Sequence, residues 1–193
     1  EMPAPEPGPG QVLLDIVATS ANYADAIMVA GNYQTKPEFP FAPGLEGAGL
    51  VVKLGKGVEN LKIGDRVMAK LSHGGFAEQA VAEASETWSL FDRMSFADGA
   101  AFAVAYLSAH VALRWQGRLE AGETLLVLGA AGGSGMAAVE IGKAMGALVI
   151  GAASNEEKLQ AILHHGADHA VNYSSNNMKE QVLELTGGEG ADV

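Results

Sequence analysis

The sequence predicts an α/β protein: a small, mostly β, barrel-like domain in front and the first half of a doubly wound parallel sheet behind. Three observations carry this. Up to about residue 92, short apolar runs alternate with turns, the pattern of a β domain. From Gly122 the pattern becomes alternating strand and helix, which implies a parallel sheet with right-handed crossovers. Where the two meet, Thr124-Leu125-Leu126-Val127-Leu128 ends in Gly129-Ala130-Ala131-Gly132-Gly133-Ser134-Gly135, and a helical pattern starts at once. The domains are placed at residues 1–103 and 104–193.

Taken in order, the proline-rich and acidic opening is extended, and Gln11 to Ala18 reads as a strand. Asn22 to Ala30 makes a helical turn or two, and the prolines at 37, 40 and 43 keep the next stretch out of helix. Leu50–Leu54, the end of Leu61–Ala69 and Gly74–Val81 read as strands. Ser95 caps a short helix at Phe96–Ala101, and a longer one covers about Val104 to Trp115. Behind it come the strand 124–128, helix 135–146, strand 147–151, helix 155–164, strand 169–173 and helix 177–185. Ala191-Asp192-Val193 has the look of a fourth strand just starting, and only half of a doubly wound sheet is present. The sequence therefore reads as a piece of a longer protein.

Composition narrows the classes of function. The formal charge is −11, which repels nucleic-acid backbones and anionic membranes. There is no cysteine, so disulfides, thiolate zinc sites and cysteine nucleophiles are out, in keeping with a reducing, cytoplasmic setting. No apolar run reaches membrane-spanning length, and the N-terminal residues do not resemble a secretion signal. Neither a nucleic-acid nor a membrane partner is expected.

The glycine turn is the first candidate site. Strand, glycine turn and helix form the context in which backbone can approach a pyrophosphate and offer it unpaired helix N–H groups. The spelling here is Gly129-x-x-Gly132-x-x-Gly135 with Gly133 added, and by itself it fits a plain structural turn equally well.

Further landmarks stand in order around it: Pro43-Gly44-Leu45-Glu46-Gly47-Ala48-Gly49, Gly64-Asp65-Arg66-Val67, Gly74-Gly75-Phe76-Ala77-Glu78, Gly166-Ala167-Asp168-His169-Ala170-Val171-Asn172-Tyr173 and Leu185-Thr186-Gly187-Gly188. With this set the chain resembles, from Gly10 onward, the medium-chain dehydrogenase/reductase superfamily, and within it the zinc-free quinone oxidoreductase (zeta-crystallin-like) family. The resemblance implies a GroES-like barrel, then a Rossmann domain, with the active site between them. Zinc-dependent relatives carry cysteine where Asn22 stands and histidine where Leu45 stands; neither replacement suits a tetrahedral zinc site. No metal is expected. Glu46 remains from that motif and reads as a structural carboxylate in a turn.

Charge separates the two nicotinamide cofactors. An NAD-preferring site places a carboxylate at the end of the second strand, where this chain has Ala152-Ala153-Ser154-Asn155. By resemblance, Ser154, Lys158 and Tyr173 hold a 2′-phosphate, and NADP(H) is the cofactor expected. Singly, Lys158 suits a solvated helix face and Tyr173 a packed strand end. The pyrophosphate falls to Gly132, Gly133, Ser134 and Gly135. Resemblance places Asn22, Tyr23 and Asp25 at the nicotinamide end and makes Ser108 face the cofactor, although Asn22 also suits a turn and Ser108 a helix-bonded serine. Tyr33 borders the acceptor pocket by the same resemblance, and Ile27 stands where relatives often have tyrosine.

Other chemistries find no residues. None of the four tyrosines is followed four places later by lysine, His164 and His165 do not share a helix face, and no Gly-x-Ser-x-Gly occurs. The expectation is an NADPH-dependent oxidoreductase passing hydride to a quinone, enal or enone without zinc, a homodimer when full length, with no catalytic residue singled out. An enoyl-thioester reductase of the same fold and a non-catalytic NADP-binding crystallin-like protein are the alternatives.

Overall fold

The structure, a computed structural model, describes residues 3–175 and 177–193. The first two residues of the proline-rich opening lie outside the described residues. The chain divides into two compact units, Glu1–Val104 and Ala105–Val193.

In the first unit, β1 (Gln11–Thr19), β2 (Glu46–Leu54), β3 (Arg66–Lys70), β4 (Gln79–Glu83) and β5 (Thr87–Ser89) form one antiparallel sheet in the order β4-β1-β2-β3-β5. Alternation selects its core: Val12 and Leu14, Val51, Val67 and Ala69, and Ala80 and Ala82 turn inward and pack on Leu61 and Leu71. The helix α1 (Tyr23–Val29) follows β1, and α2 (Phe96–Ala100) starts at Ser95, whose hydroxyl accepts the Asp98 N–H.

Two strands depart from expectation. β2 begins at Glu46 rather than Leu50, because Gly47, Ala48 and Gly49 pair with β1. A Cβ on Gly49 would lie 1.9 Å from the Asp15 carbonyl, so a stretch that looks like a turn is strand only because glycine allows the approach. Gly74–Val81 is not one strand. Gly74 has φ of +100° and Gly75 is pressed against the Glu46 carbonyl, so this stretch turns before β4 starts at Gln79.

The long helix after α2 is α3 (Ala103–His110), which widens into a π-helical turn over Val111–Gln116. In the second unit, β6 (Thr124–Leu128), β7 (Leu148–Ala153) and β8 (His169–Asn172) are parallel and lie in that order. Between and after them run α4 (Gly133–Ala144), α5 (Glu156–His164) and α6 (Met178–Leu185). The helices cover both faces. Leu125, Val127 and Val149 pack with Val139, Leu159 and Ile162 on one side, while Ile150, Ala152 and Val171 pack with Val182 on the other.

The expected fourth strand is present only as backbone pairing. Leu126 N–H donates to the Val193 carbonyl at 2.9 Å and Asp192 N–H to the Thr124 carbonyl at 2.9 Å, on the side of β6 away from β7. The order along the sheet is therefore terminal residues, β6, β7, β8. The connection reverses at β6, and a ligand in such a sheet binds beyond the strand ends at that reversal. Among the described residues, no helix is long and apolar enough to cross a membrane.

Candidate functional site

The C-terminal ends of the parallel strands gather the first set of site residues. Gly129 takes φ of +65° to turn the chain out of β6, and Gly132, in extended backbone, is the N-cap of α4. Gly135 is held by close packing, since a Cβ there would meet the Gly129 carbonyl at 2.5 Å. Gly133 is different: nothing stands within 4 Å of where its Cβ would be. Gly132, Gly133 and Ser134 are exposed, and the first amides of α4, at Gly133, Ser134 and Gly135, have no acceptor among the described residues. No acidic residue lies in the first turn of this helix. The turn is thus an open row of N–H donors at the positive end of a helix, fit for a phosphate.

The second set lies beside it. The Ala130 N–H donates to the Ala152 carbonyl at 3.0 Å, joining the glycine turn to the end of β7. Tyr173 N–H donates to the Ala153 carbonyl at 3.0 Å, and the Ser174 hydroxyl donates to the Ser154 carbonyl at 3.0 Å. Asn155 caps α5 by accepting the Lys158 N–H at 3.0 Å. Ser154, Lys158 and Tyr173 therefore share one edge. Lys158 is exposed and in no ion pair among the described residues. Of the neighbouring acids, Glu156 accepts from the Gln160 amide at 2.8 Å. Sequence reasoning misses Ser174, which shows itself only once β7 and β8 are in register.

In the first unit the centre is Glu46, which sits in strand β2 rather than in the expected turn and is only 1% exposed. Its Oε1 accepts from the Asn22 Nδ2 at 2.8 Å and from the Ser20 hydroxyl, and its Oε2 accepts the Val104 N–H at 2.7 Å. The Thr19 hydroxyl donates to its carbonyl at 2.7 Å. Asp25, 4% exposed, accepts the Asn22 N–H at 2.7 Å on one oxygen and the Gly44 N–H at 3.2 Å on the other. Each oxygen thus accepts one backbone N–H and helps to hold the loop before α1. Tyr23 is 84% exposed, while Ile27, one turn further along α1, and Tyr33 are half-buried. A groove of about 1490 Å³ runs along Asp15–Thr19 and Gln79–Glu83, and no predicted site residue lines it. Its lining mixes carboxylates with Lys70, His73 and sheet backbone, and the buried Glu46 cluster, which includes the predicted Asn22, is the candidate kept in this unit.

Ser108 lies exposed on α3, and its hydroxyl has no partner among the described residues, so it is not tied to its own helix. Two positions before it, the Tyr106 hydroxyl donates to Glu140 on α4, whose other oxygen lies 2.7 Å from His165 Nδ1. Burial and the adjoining Glu140 push the Tyr106 hydroxyl up to about 12. Partial burial raises Glu140, but the bonds from Tyr106 and His165 outweigh it and hold the carboxyl below its ordinary value.

Comparison with known proteins decides the family. Residues 8–108 match the alcohol dehydrogenase GroES-like domain, and residues 133–193 match the zinc-binding dehydrogenase family. The chain belongs to the medium-chain dehydrogenase/reductase superfamily. A superfamily relative, the quinone oxidoreductase-like protein 2 homolog of Nematostella vectensis, is 40% identical over 188 residues, 96% of this chain and 51% of that protein. The crystal structure of a probable oxidoreductase from Mycobacterium abscessus matches with a TM-score of 0.90 at 37% identity, over 98% of this chain and 61% of the other. The quinone oxidoreductase of Thermus thermophilus, solved also in complex with NADPH, matches with a TM-score of 0.84 at 35% identity, over 96% of this chain and 58% of the other. The chain thus spans little more than half the length of these superfamily members. The second family's description names zinc. In this member Asn22 binds Glu46, Leu45 is buried, and no cluster of three or more His, Cys, Asp or Glu suits a metal among the described residues.

Proposed function

We propose that this chain is part of an NADPH-dependent oxidoreductase that passes hydride to a quinone or another activated C=C or carbonyl acceptor, without zinc. The observation that carries the reading is the edge shared by Ser154, Lys158 and Tyr173, next to the acceptor-free amides of Gly133, Ser134 and Gly135. The glycine turn would hold the pyrophosphate. The exposed Lys158 ammonium, with the Ser154 and Tyr173 hydroxyls, would hold a 2′-phosphate where an NAD site would repel it with a carboxylate. Named relatives point the same way, since quinone oxidoreductases recur among them and two were solved with NADPH.

When bound, NADPH supplies a hydride from its nicotinamide. The protein's part is to bind and orient, with Asn22 and Tyr23 toward the nicotinamide, Ser108 toward the cofactor and Tyr33 and Ile27 toward the acceptor. A quinone or enone is already electrophilic and its reduced oxygen can take a proton from water, so the reading requires no dedicated acid. The absence of zinc follows from the donor set: an amide and a leucine replace thiolate and imidazole, and the sequence has no cysteine. Dimerisation and a cytoplasmic setting complete the proposal; light scattering and fractionation test them.

Two measurements test the function. Purified protein should oxidise NADPH in the presence of at least one member of a panel of quinones, enals and enones, and silence across the panel would remove the enzyme reading. Lys158→Ala should weaken NADPH binding by roughly 10- to 100-fold, as expected for loss of about 1.5–3 kcal/mol of charge-assisted bonding, and leave NADH nearly unchanged. Equal losses for both cofactors would remove the 2′-phosphate assignment.

A further inference from the structure

Glu46 has a consequence for Asn22. The carboxylate is buried, and the groups around it donate: the Val104 N–H to Oε2 at 2.7 Å, and the Asn22 Nδ2 at 2.8 Å together with the Ser20 hydroxyl to Oε1. A carboxylate accepts and an amide N–H donates, so neither the Val104 nor the Glu46 end of this chain of bonds can be reversed. Asn22 must therefore turn its NH₂ toward Glu46 and the Ser20 hydroxyl (3.1 Å). This leaves its carbonyl oxygen at the N-terminus of α1, on the Asp25 N–H side of a capping box but with no cap hydrogen bond made. The Asn22 backbone is held independently, because its N–H donates to Asp25 at 2.7 Å. Val104 belongs to the first turn of α3, so Glu46 also caps that helix while it orients Asn22.

We propose that Glu46 is a positioning residue that fixes Asn22 as a hydrogen-bond acceptor, so that Asn22 selects an N–H or O–H donor on the ligand and disfavours an oxyanion. The inference rests on the NADP(H) reading above. It makes Asn22 a contact for the cofactor's carboxamide N–H or a ribose hydroxyl, and it removes Asn22 from any role in stabilising the reduced oxygen of the acceptor.

A reciprocal swap tests this. In Glu46→Gln the side-chain oxygen must stay on the Val104 N–H, which cannot turn, so the new NH₂ faces Asn22 and forces its carboxamide over. In Asn22→Asp two carboxylates face each other. In the double variant the introduced glutamine donates to the introduced aspartate, and an acceptor oxygen again points outward. By calorimetry with NADP⁺, each single variant should bind at least tenfold more weakly than the wild type, and the double variant should return to within about threefold of it. A purely structural Glu46 would shift melting temperature without any recovery in the double variant. A double variant no tighter than either single one overturns the proposal, as does wild-type affinity in Glu46→Gln. Asn22→Ala guards against a misfolded swap: it should lose the same tenfold, and because Val104 and Ser20 still donate to Glu46 its melting temperature should fall no further than that of Glu46→Gln.

The 3-acetylpyridine analogue of NADP⁺ lacks the carboxamide N–H and separates the two donors. Binding as weak as NADP⁺ shows to Asn22→Ala identifies the carboxamide, and undiminished binding identifies a ribose hydroxyl. The side-chain amide resonances of Asn22 give a readout free of cofactor. They should be protected from exchange in the wild type and exposed in Glu46→Gln, and an unchanged amide overturns the proposal. If the wild type fails to bind NADP⁺, the functional reading fails, while this resonance still decides the orientation of Asn22.

Discussion

At the scale of single residues, neighbouring glycines in the α4 turn do unlike work, and substitution can separate them. Gly135 is there for packing: the Gly129 carbonyl would lie 2.5 Å from an added Cβ, and the Ala130 backbone close behind it. Gly135→Ala is therefore expected to cost about 1–3 kcal/mol, the usual penalty of overpacking, read from urea unfolding. Gly133 has no neighbour within 4 Å and starts a helix, so the protein itself gives no reason for glycine there. Gly133→Ala should change stability by no more than about 0.5 kcal/mol yet weaken NADPH binding at least tenfold, because the methyl stands where a phosphate must approach. An alanine at 133 that left affinity intact would move the pyrophosphate away from this turn.

At the scale of elements, one carboxylate ties three pieces of the second unit together. Asp168, just before β8, accepts from the Lys143 ammonium of α4 at 2.7 Å and from the Val149 N–H of β7 at 2.7 Å. Asp168→Ala strands a strand-start N–H and is expected to cost about 1–3 kcal/mol; Asp168→Asn keeps an acceptor for Val149, loses only a half-exposed ion pair, and should cost about 1 kcal/mol or less. Urea midpoints compare them, and equal costs would show that the ion pair rather than the backbone acceptor matters. What is legible in the sequence follows the same division. The strand at 124–128 is legible to the residue and Asn155 stands at the start of its helix as expected, since apolar runs and caps are local signals. The early start of β2 at Glu46 is not legible, because Gly47 and Gly49 look like turn residues until β1 is laid against them. The Glu46 cluster is hidden for a similar reason: Ser20 and Asn22 lie 26 and 24 residues before Glu46 and Val104 lies 58 after it, and nothing local marks them as partners of one carboxylate.

At the scale of the whole molecule, Tyr106, Glu140 and Asp168 of the second unit carry shifted values and give that unit a pH-dependent stability. Partial burial raises the Asp168 carboxyl, but the Lys143 ammonium and the Val149 N–H outweigh it and hold the group low; Glu140 is held low as well. For such carboxylates the folded chain gives up protons more readily than the unfolded one. Their contribution is complete above the unfolded values of 4.5 and 3.8 and is lost as pH falls through the depressed folded ones. The alkaline side has the opposite sign. Tyr106, unfolded value 10.0, is raised to about 12, so the unfolded chain loses this proton first. Its contribution is complete below pH 10 and disappears as pH rises toward 12. Tyr106→Phe should therefore be less stable than the wild type by about 1 kcal/mol at neutral pH, from the lost bond to Glu140, and the gap should narrow above pH 10. Urea midpoints taken from neutral pH upward check this. A gap that stays constant would mean that Tyr106 ionises alike in the folded and unfolded chain, and no gap at neutral pH would mean that its bond to Glu140 does not tie α3 to α4.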